Sequence, residues 1–275
     1  WNTGKASEPR HWCGMAAPTG NPRDVPDGAA FFAPGAMNET VVVRIDTAID
    51  KVDFTAGNDQ YVIYILSPGT LAIRGAGVAN ASGLEQRFTV DGEDARLYFL
   101  GTSVAGIGAP ANRIAITNKN GGQTHFRSSA NASNAKITNE RNSRLYFYND
   151  SSAGSAELIN EQSGSQIHFR DDATGDSAQI TNGRGKVYFS QSQRKSVPIG
   201  KIDNKSKLIV GKTKVEVADT LTLSKKSTVT MNFNKKSGGK IVVTNTAALS
   251  GTLAVTGSTK MKTGRYLLIK SQTRR

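Results

Sequence analysis

The feature that most constrains this fold is an internal repeat of 21 to 22 residues in the middle of the chain. Four segments that end in asparagine recur at steps of 21, 21 and 22 residues, and each is followed by a segment that ends in phenylalanine. The asparagines are Asn118, Asn139, Asn160 and Asn182, and the phenylalanines are Phe126, Phe147, Phe169 and Phe189, preceded by a similar copy at Phe99. A unit of this length cannot enclose a hydrophobic core alone, so successive units must stack on one another.

The residue types in each unit predict short strands separated by turns. Runs of Val, Ile, Leu, Phe and Tyr alternate with Gly, Asn and Ser, which is typical of an all-β chain. The sequence therefore predicts a parallel β-helix, or β-solenoid, in which strands of successive coils lie about 4.8 Å apart. Alternation along a strand places Leu145 and Phe147 inside and Arg144 and Tyr146 outside. We expect the repeated phenylalanines to form an internal ladder and the asparagines a hydrogen-bonded ladder at the turns.

Three regions can be distinguished along the chain. Residues 1–40, rich in Pro, Gly and Asn, break the repeat and are predicted to cap the first coil. Residues 41–275 are predicted to form the β-helix, with regular coils over about 97–190 and looser, basic coils over 200–275. The single cysteine, Cys13, excludes an intrachain disulfide. The longest apolar runs fall far short of the roughly 20 residues of a membrane-spanning helix, so no such helix is expected.

The positive charge is concentrated at one end of the chain. The net charge is +13, and the segment from Arg194 to Arg275 carries 18 lysines and arginines against three acidic residues. Such asymmetry favours attraction to polyanions, among them anionic glycans, lipopolysaccharide and nucleic acid, although nothing indicates a specific nucleic-acid site. The alternative is a solvated basic surface that keeps a β-rich protein soluble.

An outward-facing strip accompanies the phenylalanine segments. Aromatic or imidazole rings occupy the residue before each phenylalanine, and cations or glutamines lie two residues earlier or directly after the phenylalanine. The predicted strip consists of Arg96, Tyr98, His125, Arg127, Arg144, Tyr146, His168, Arg170, Lys186 and Tyr188, with Gln123 and Gln166 between the cations. Rings and guanidinium groups in this pattern suit the apolar faces and anionic groups of a polysaccharide. Alternatively, the strip only stabilises the stack through cross-strand pairs.

Candidates for catalysis or metal binding are few. Asp171, Asp172 and Asp176 form the densest carboxylate group and suggest either Ca²⁺ binding or paired acids, but their position in the repeat predicts a turn. The segment around Ser103 lacks the spacing of a nucleophile elbow, and the glycines around Gly75 open no phosphate-binding helix. The chain's one cysteine and three histidines are too scattered for a zinc site. We therefore expect no catalytic residues, no metal and no cofactor.

Several longer segments carry a family resemblance. They are Trp1 and Trp12 followed by VPDGAAFF at Val25–Phe32, LAIRGAGVANASGLEQRF at Leu71–Phe88, SSAGSAELIN at Ser151–Asn160, and GGKIVVTNTAALSGTLAV at Gly238–Val255 followed by GRYLLI at Gly264–Ile269. In order and number these segments resemble the passenger regions of bacterial autotransporters. The resemblance implies a right-handed β-helix displayed outside a Gram-negative cell by type V secretion. It also implies a C-terminal translocator barrel in the precursor, and because the chain ends at Arg275 without one, we expect a fragment, a processed passenger or a degenerate relative.

Three functions follow as hypotheses. The first is a non-enzymatic, surface-displayed stalk that binds glycans or other polyanions through the strip or the basic end. The second is a β-helical polysaccharide lyase or hydrolase, and the third is a purely structural spacer for another module.

Overall fold

A computed structural model of the protein describes residues 28–35, 39–107, 112–233, 238–257 and 268–274. These residues form 25 strands and no α-helix. The strands are β1 (Ala29–Phe32), β2 (Thr40–Val43), β3 (Thr47–Phe54), β4 (Val62–Leu66), β5 (Thr70–Asn80), β6 (Gln86–Asp91), β7 (Arg96–Phe99), β8 (Val104–Ile107), β9 (Ile114–Lys119), β10 (Gln123–Phe126), β11 (Lys136–Asn139), β12 (Arg144–Phe147), β13 (Glu157–Asn160), β14 (Gln166–Asp171), β15 (Gln179–Asn182), β16 (Lys186–Ser192), β17 (Ser196–Ile199), β18 (Lys201–Asn204), β19 (Lys207–Gly211), β20 (Lys214–Val217), β21 (Thr220–Leu223), β22 (Thr228–Phe233), β23 (Lys240–Leu249), β24 (Thr252–Gly257) and β25 (Ile269–Arg274).

The strands assemble into two long sheets that wind together as a β-solenoid of about 10 turns. The first sheet, here the Phe sheet, has the order β1-β3-β5-β7-β10-β12-β14-β16-β19-β22-β24, with β8 paired to β5. The second, here the Asn sheet, has the order β17-β20-β23-β21-β18-β15-β13-β11-β9-β6-β4-β2, with β25 paired to β23. Every pairing between these strands is parallel, which confirms the predicted all-β solenoid.

The phenylalanines form the internal ladder that the repeat predicts. Phe99, Phe126, Phe147, Phe169 and Phe189 are all fully buried. Their ring centroids are 4.8, 5.0, 5.1 and 5.0 Å apart along the stack, with planes within 12° of parallel. Each buried phenylalanine contributes about 1.5–3 kcal/mol of apolar burial, so this ladder is a major source of stability.

The asparagines form a second internal ladder, at the ends of the Asn-sheet strands. Successive Nδ2 groups donate to the Oδ1 of the next asparagine over 2.7, 3.1, 3.3 and 2.6 Å, from Asn118 through Asn204. The same Nδ2 groups donate to main-chain carbonyls of the following Phe-sheet strands, such as Asn139 to Gln166 at 2.9 Å. A primary amide carries both N–H donors and an oxygen acceptor, so each asparagine can donate to the next coil and accept from the previous one. The ladder was predicted as far as Asn182 and extends one coil further.

The corners of the coils are built from residues in the left-handed conformation. After the Phe-sheet strands, Ser128, Asn149 and Asp171 have φ of 58°, 55° and 50°. Asn149 accepts a hydrogen bond from the Ser128 N–H at 3.1 Å, and Asp171 accepts one from the Asn149 N–H, also at 3.1 Å. Each corner is therefore tied to the next by a short polar side chain, which explains why Asn and Asp recur there.

The ends of the stack refine the predicted boundaries. Strand β1, from the segment 1–40 that is predicted to cap the first coil, pairs in parallel with β3. Residues 1–27, including Cys13, lie outside the described part of the chain. At the other end, strands continue through β25, as the alternation after residue 200 predicts. In the described residues there is no helix with the length and apolar character needed to cross a membrane.

Candidate functional site

The residues of the predicted strip lie together on the outer face of the Phe sheet. Five consecutive strands, β7, β10, β12, β14 and β16, each contribute one row, and the rows are in register except after His168, where the pairing of β14 with β16 shifts by one residue. The residue before each phenylalanine forms a central ring column, and the residue three before it forms a first flanking column. We call the assembly the outer strip. It consists of Arg96, Tyr98, Gln123, His125, Arg127, Arg144, Tyr146, Tyr148, Gln166, His168, Arg170, Lys186 and Tyr188.

The rings of the central column stack on one another along the solenoid axis. Centroid distances from Tyr98 through His125, Tyr146 and His168 to Tyr188 are 4.7, 4.9, 4.7 and 4.4 Å. Because the faces of the inner rings are covered by their neighbours, the column presents ring edges and tyrosine hydroxyls to solvent. The faces of His125, Tyr146 and His168 are therefore not available for stacking with a further ring.

The residue after each phenylalanine forms a second flanking column. Two arginines of this column lie over tyrosine rings. The guanidinium carbons of Arg127 and Arg170 each lie 5.2 Å from the centroid of the Tyr148 ring. The same groups lie 5.1 Å from Tyr98 and Tyr146 of the central column. Such contacts hold guanidinium groups in place without neutralising their charge, and each contributes about 0.5–1 kcal/mol at exposed sites. Sequence reasoning missed Tyr148, although it follows Phe147 as Arg127 follows Phe126.

The two histidines of the strip are buried, contrary to the expectation of a fully exposed surface. His125 and His168 are each only 5% exposed because tyrosine rings cover both faces of each imidazole. Burial, followed by the positive charges of Arg127, Arg96 and Arg170, lowers the pKa of His125 to about 3. Neither of its ring nitrogens has a hydrogen-bond partner among the described residues. The imidazole of His125 is therefore neutral. It contributes a ring to the central column but no charge to the outer strip.

His168 is also neutral but is hydrogen-bonded. Its Nδ1 lies 3.1 Å from the side-chain oxygen of Gln191, and its Nε2 lies 2.9 Å from that of Gln166. Since a neutral imidazole donates from one nitrogen only, one of the two glutamines must present its N–H group. Burial lowers the pKa of His168 to about 4, and the hydrogen bond that its ring donates to the Gln191 oxygen opposes this shift in part.

The charge of the strip comes from its arginines and Lys186, and it is almost uncompensated. Arg96 pairs with Asp94 at 3.4 Å, on the exposed edge of the sheet. The other four cations, Arg127, Arg144, Arg170 and Lys186, have no ion pair within the described parts of the chain. Arg127 is exposed, and Arg144, Arg170 and Lys186 are half-buried. Cations without an acidic partner give this face of the sheet a local positive potential.

A second basic surface lies at the corner between the Asn sheet and the Phe sheet, in later coils. Arg184, Lys205, Lys225 and Lys226 surround a shallow depression of about 490 Å³ on three successive turns. Lys205 lies 3.7 Å from Asp203. In sequence, Arg184 of this basic corner lies two residues before Lys186 of the outer strip. It accounts for part of the positive charge expected at this end of the molecule.

Two of the three carboxylates considered for catalysis, those of Asp171 and Asp176, accept hydrogen bonds at the corners of the coils. The Asp171 carboxylate accepts the Asn149 N–H, and that of Asp176 accepts the hydroxyl of Ser152. Both residues have positive φ, as turn residues do. No cluster of three or more His, Cys, Asp or Glu side chains suited to a metal ion occurs in the ranges that the structure describes.

Comparison of the chain with protein-family models, with curated proteins and with solved structures finds no match.

Proposed function

We propose that the protein is a non-enzymatic, surface-displayed stalk that binds anionic glycans through its outer strip. The observation that carries the proposal is the set of five cations, one in each of five stacked rows, of which only Arg96 forms an ion pair with a described residue. The stacked solenoid supplies the stalk. The passenger-like segments at Leu71–Phe88 and Gly238–Val255 support display outside a Gram-negative cell as part of the same proposal.

The chemistry of the strip suits sulfate or carboxylate groups on a sugar chain. Arginine donates two parallel hydrogen bonds to a carboxylate, and such charge-assisted bonds are about twice as strong as neutral ones. Tyr98, Tyr146 and Tyr188 place hydroxyl groups between the cations, where they can donate to or accept from sugar hydroxyls. The basic corner adds long-range attraction that raises the association rate more than the affinity.

The proposal is tested by measuring binding of the purified chain to alginate, a polysaccharide of uronic acids, by titration calorimetry. We expect the double variant Arg127→Gln and Arg170→Gln to lower the affinity at least tenfold, because it removes both cations of the second flanking column. Glutamine fits this column, since Gln191 follows Arg170 there in the native chain. Affinity should also fall as salt rises from 0.05 to 0.5 M, as expected when exposed charges are screened.

The matched control is the double variant Lys225→Gln and Lys226→Gln, which removes the same charge from the basic corner. It should leave the affinity within about threefold of the native value. Equal losses in the two variants would mean that net charge alone attracts the polymer, and the strip would lose its assigned role. Absence of any strip-dependent binding would instead favour a purely structural spacer.

A further inference from the structure

The outer strip has a period of two coils that the 21-to-22-residue repeat does not have. Rows at β10 and β14 read QTHFR and QIHFR, with glutamine in the first flanking column and arginine in the second. Rows at β7, β12 and β16 read RLYFL, RLYFY and KVYFSQ, with the cation in the first column and none in the second. In the β16 row a register shift places Gln191, and not Ser190, beside Arg170. Each row thus carries one cation, on alternate sides of the ring column.

The cations therefore form a zigzag along the solenoid axis. Adjacent rows are about 4.8 Å apart, so cations on the same side recur every two rows, or about 9.6 Å. The position of Tyr148 between Arg127 and Arg170, 5.2 Å from each, agrees with this two-row spacing. In the first column, Gln123 and Gln166 separate Arg96, Arg144 and Lys186 in the same way.

From this zigzag we infer that the ligand of the strip is a flat, ribbon-like polyuronate. The inference rests on the proposed glycan-binding function and names the chemical class of its ligand. In a 1,4-linked polysaccharide with equatorial linkages, each sugar is rotated by half a turn about the chain axis relative to the sugar before it. Carboxylates then alternate between the two edges of the ribbon, one per sugar. A ribbon lying along the ring column would place one carboxylate beside the cation of each row, with about five sugars on five rows.

Binding of the sugar ribbon by its two edges also agrees with the ring column, in which the faces of the inner rings are covered by neighbouring rings. A ribbon that is held by both edges needs a narrow, polar floor, which the tyrosine hydroxyls and ring edges provide. A helical or buckled polyanion of equal charge would contact the cations of one column only at intervals. Charge density alone would not distinguish the two polymers, so the geometry makes a separate prediction.

The test compares oligomers of β-1,4-mannuronate and α-1,4-guluronate of equal length. These sugars differ only at one carbon and carry equal charge, but mannuronate chains are flat ribbons and guluronate chains are buckled by axial linkages. We expect the native protein to bind mannuronate oligomers about tenfold more tightly. Affinity should rise with length up to about five sugars, one per row, and then level off.

A variant of unchanged net charge tests the zigzag itself. The pair Gln123→Arg with Arg127→Gln moves one cation across the ring column within a single row, and both residue types already occur in both columns. We expect this variant to lose most of the preference for mannuronate while keeping the native melting temperature within a few degrees. The variant should bind guluronate oligomers with the same affinity as the native protein does.

The outcomes separate the inference from the proposal beneath it. If both oligomers bind equally and both are lost in the Arg127→Gln, Arg170→Gln variant, the strip binds polyanions and the ribbon inference is overturned. If the charge-conserving pair retains the full preference, the zigzag is likewise refuted. If neither oligomer binds in a manner that depends on the strip, both the inference and the proposed function are wrong.

Discussion

At the residue scale, the strip histidines combine burial with positive surroundings. Tyrosine rings remove water from both faces of His125, and Arg96, Arg127 and Arg170 oppose a further positive charge. The unfolded chain binds the proton at a pKa near 6.5, whereas the folded chain binds it only near pH 3. The stability supplied by the neutral ring is thus complete above about pH 6.5, and it is lost as the pH falls toward the folded pKa.

We therefore expect the variant His125→Tyr to reduce the pH dependence of stability. Between pH 6 and 5, the free energy of unfolding of the native protein should fall with a contribution of about 1 kcal/mol per pH unit from His125, because only the unfolded chain takes up this proton. Tyrosine already occupies the central column in the rows on either side, so the stack can accommodate it. Urea denaturation at several pH values measures the slope, and an unchanged slope would show that His125 is protonated in the folded protein.

At the element scale, the ladders connect each strand to its neighbours more specifically than main-chain pairing does. A parallel sheet permits slippage by a whole residue pair unless side chains fix the register. The buried amides of the Asn sheet do so, since each asparagine needs its equivalent in the next coil as a hydrogen-bond partner. All of these asparagines are fully buried, so water does not compete for their hydrogen bonds.

The variant Asn139→Ala tests this role. It leaves the Asn160 side-chain oxygen and the Gln166 carbonyl without the donor that Asn139 provides. A buried polar group left unpaired costs about 1–3 kcal/mol, so we expect a loss of roughly 2–4 kcal/mol in the free energy of unfolding. Thr138→Ala, the neighbouring residue on the outer face of β11, is the control and should change stability by less than about 0.5 kcal/mol. Equal effects of the two changes would contradict a structural amide ladder.

At the scale of the whole molecule, main-chain pairing in the regular coils joins each coil to the coils before and after it. Among the described side chains, the ion pair of Arg113 with Glu157 reaches across two coils. Stability is then close to a sum of coil and interface contributions, and whole coils can be removed. The register of the Phe sheet and the Asn sheet indicates where cuts preserve the stack, because row β7 can meet row β14 as it now meets β10. Such a cut also keeps the alternation of cations across the ring column.

We expect a chain lacking residues 123–165, two complete coils, to fold into a shorter solenoid. Its denaturant m-value should be lower by roughly a sixth, in proportion to the surface removed, and its far-ultraviolet circular dichroism should retain the β signature. Deleting only residues 123–132 removes a Phe-sheet strand but leaves β11, and should destabilise the protein much more despite its smaller size. The reverse order of stabilities would contradict the independence of the coils.

Much of this architecture follows from the sequence, because the repeat length and the two-residue alternation act locally. Together they specify strands, the inward positions of Phe147 and its equivalents, and the stacking of identical asparagines. The sequence could not predict the burial of His125, the sandwich around Tyr148 or the covered ring faces. Alternation indicates only whether a side chain points inward or outward. How far water reaches an outward side chain depends on residues about 21 positions away, which only the stacked coils bring into contact.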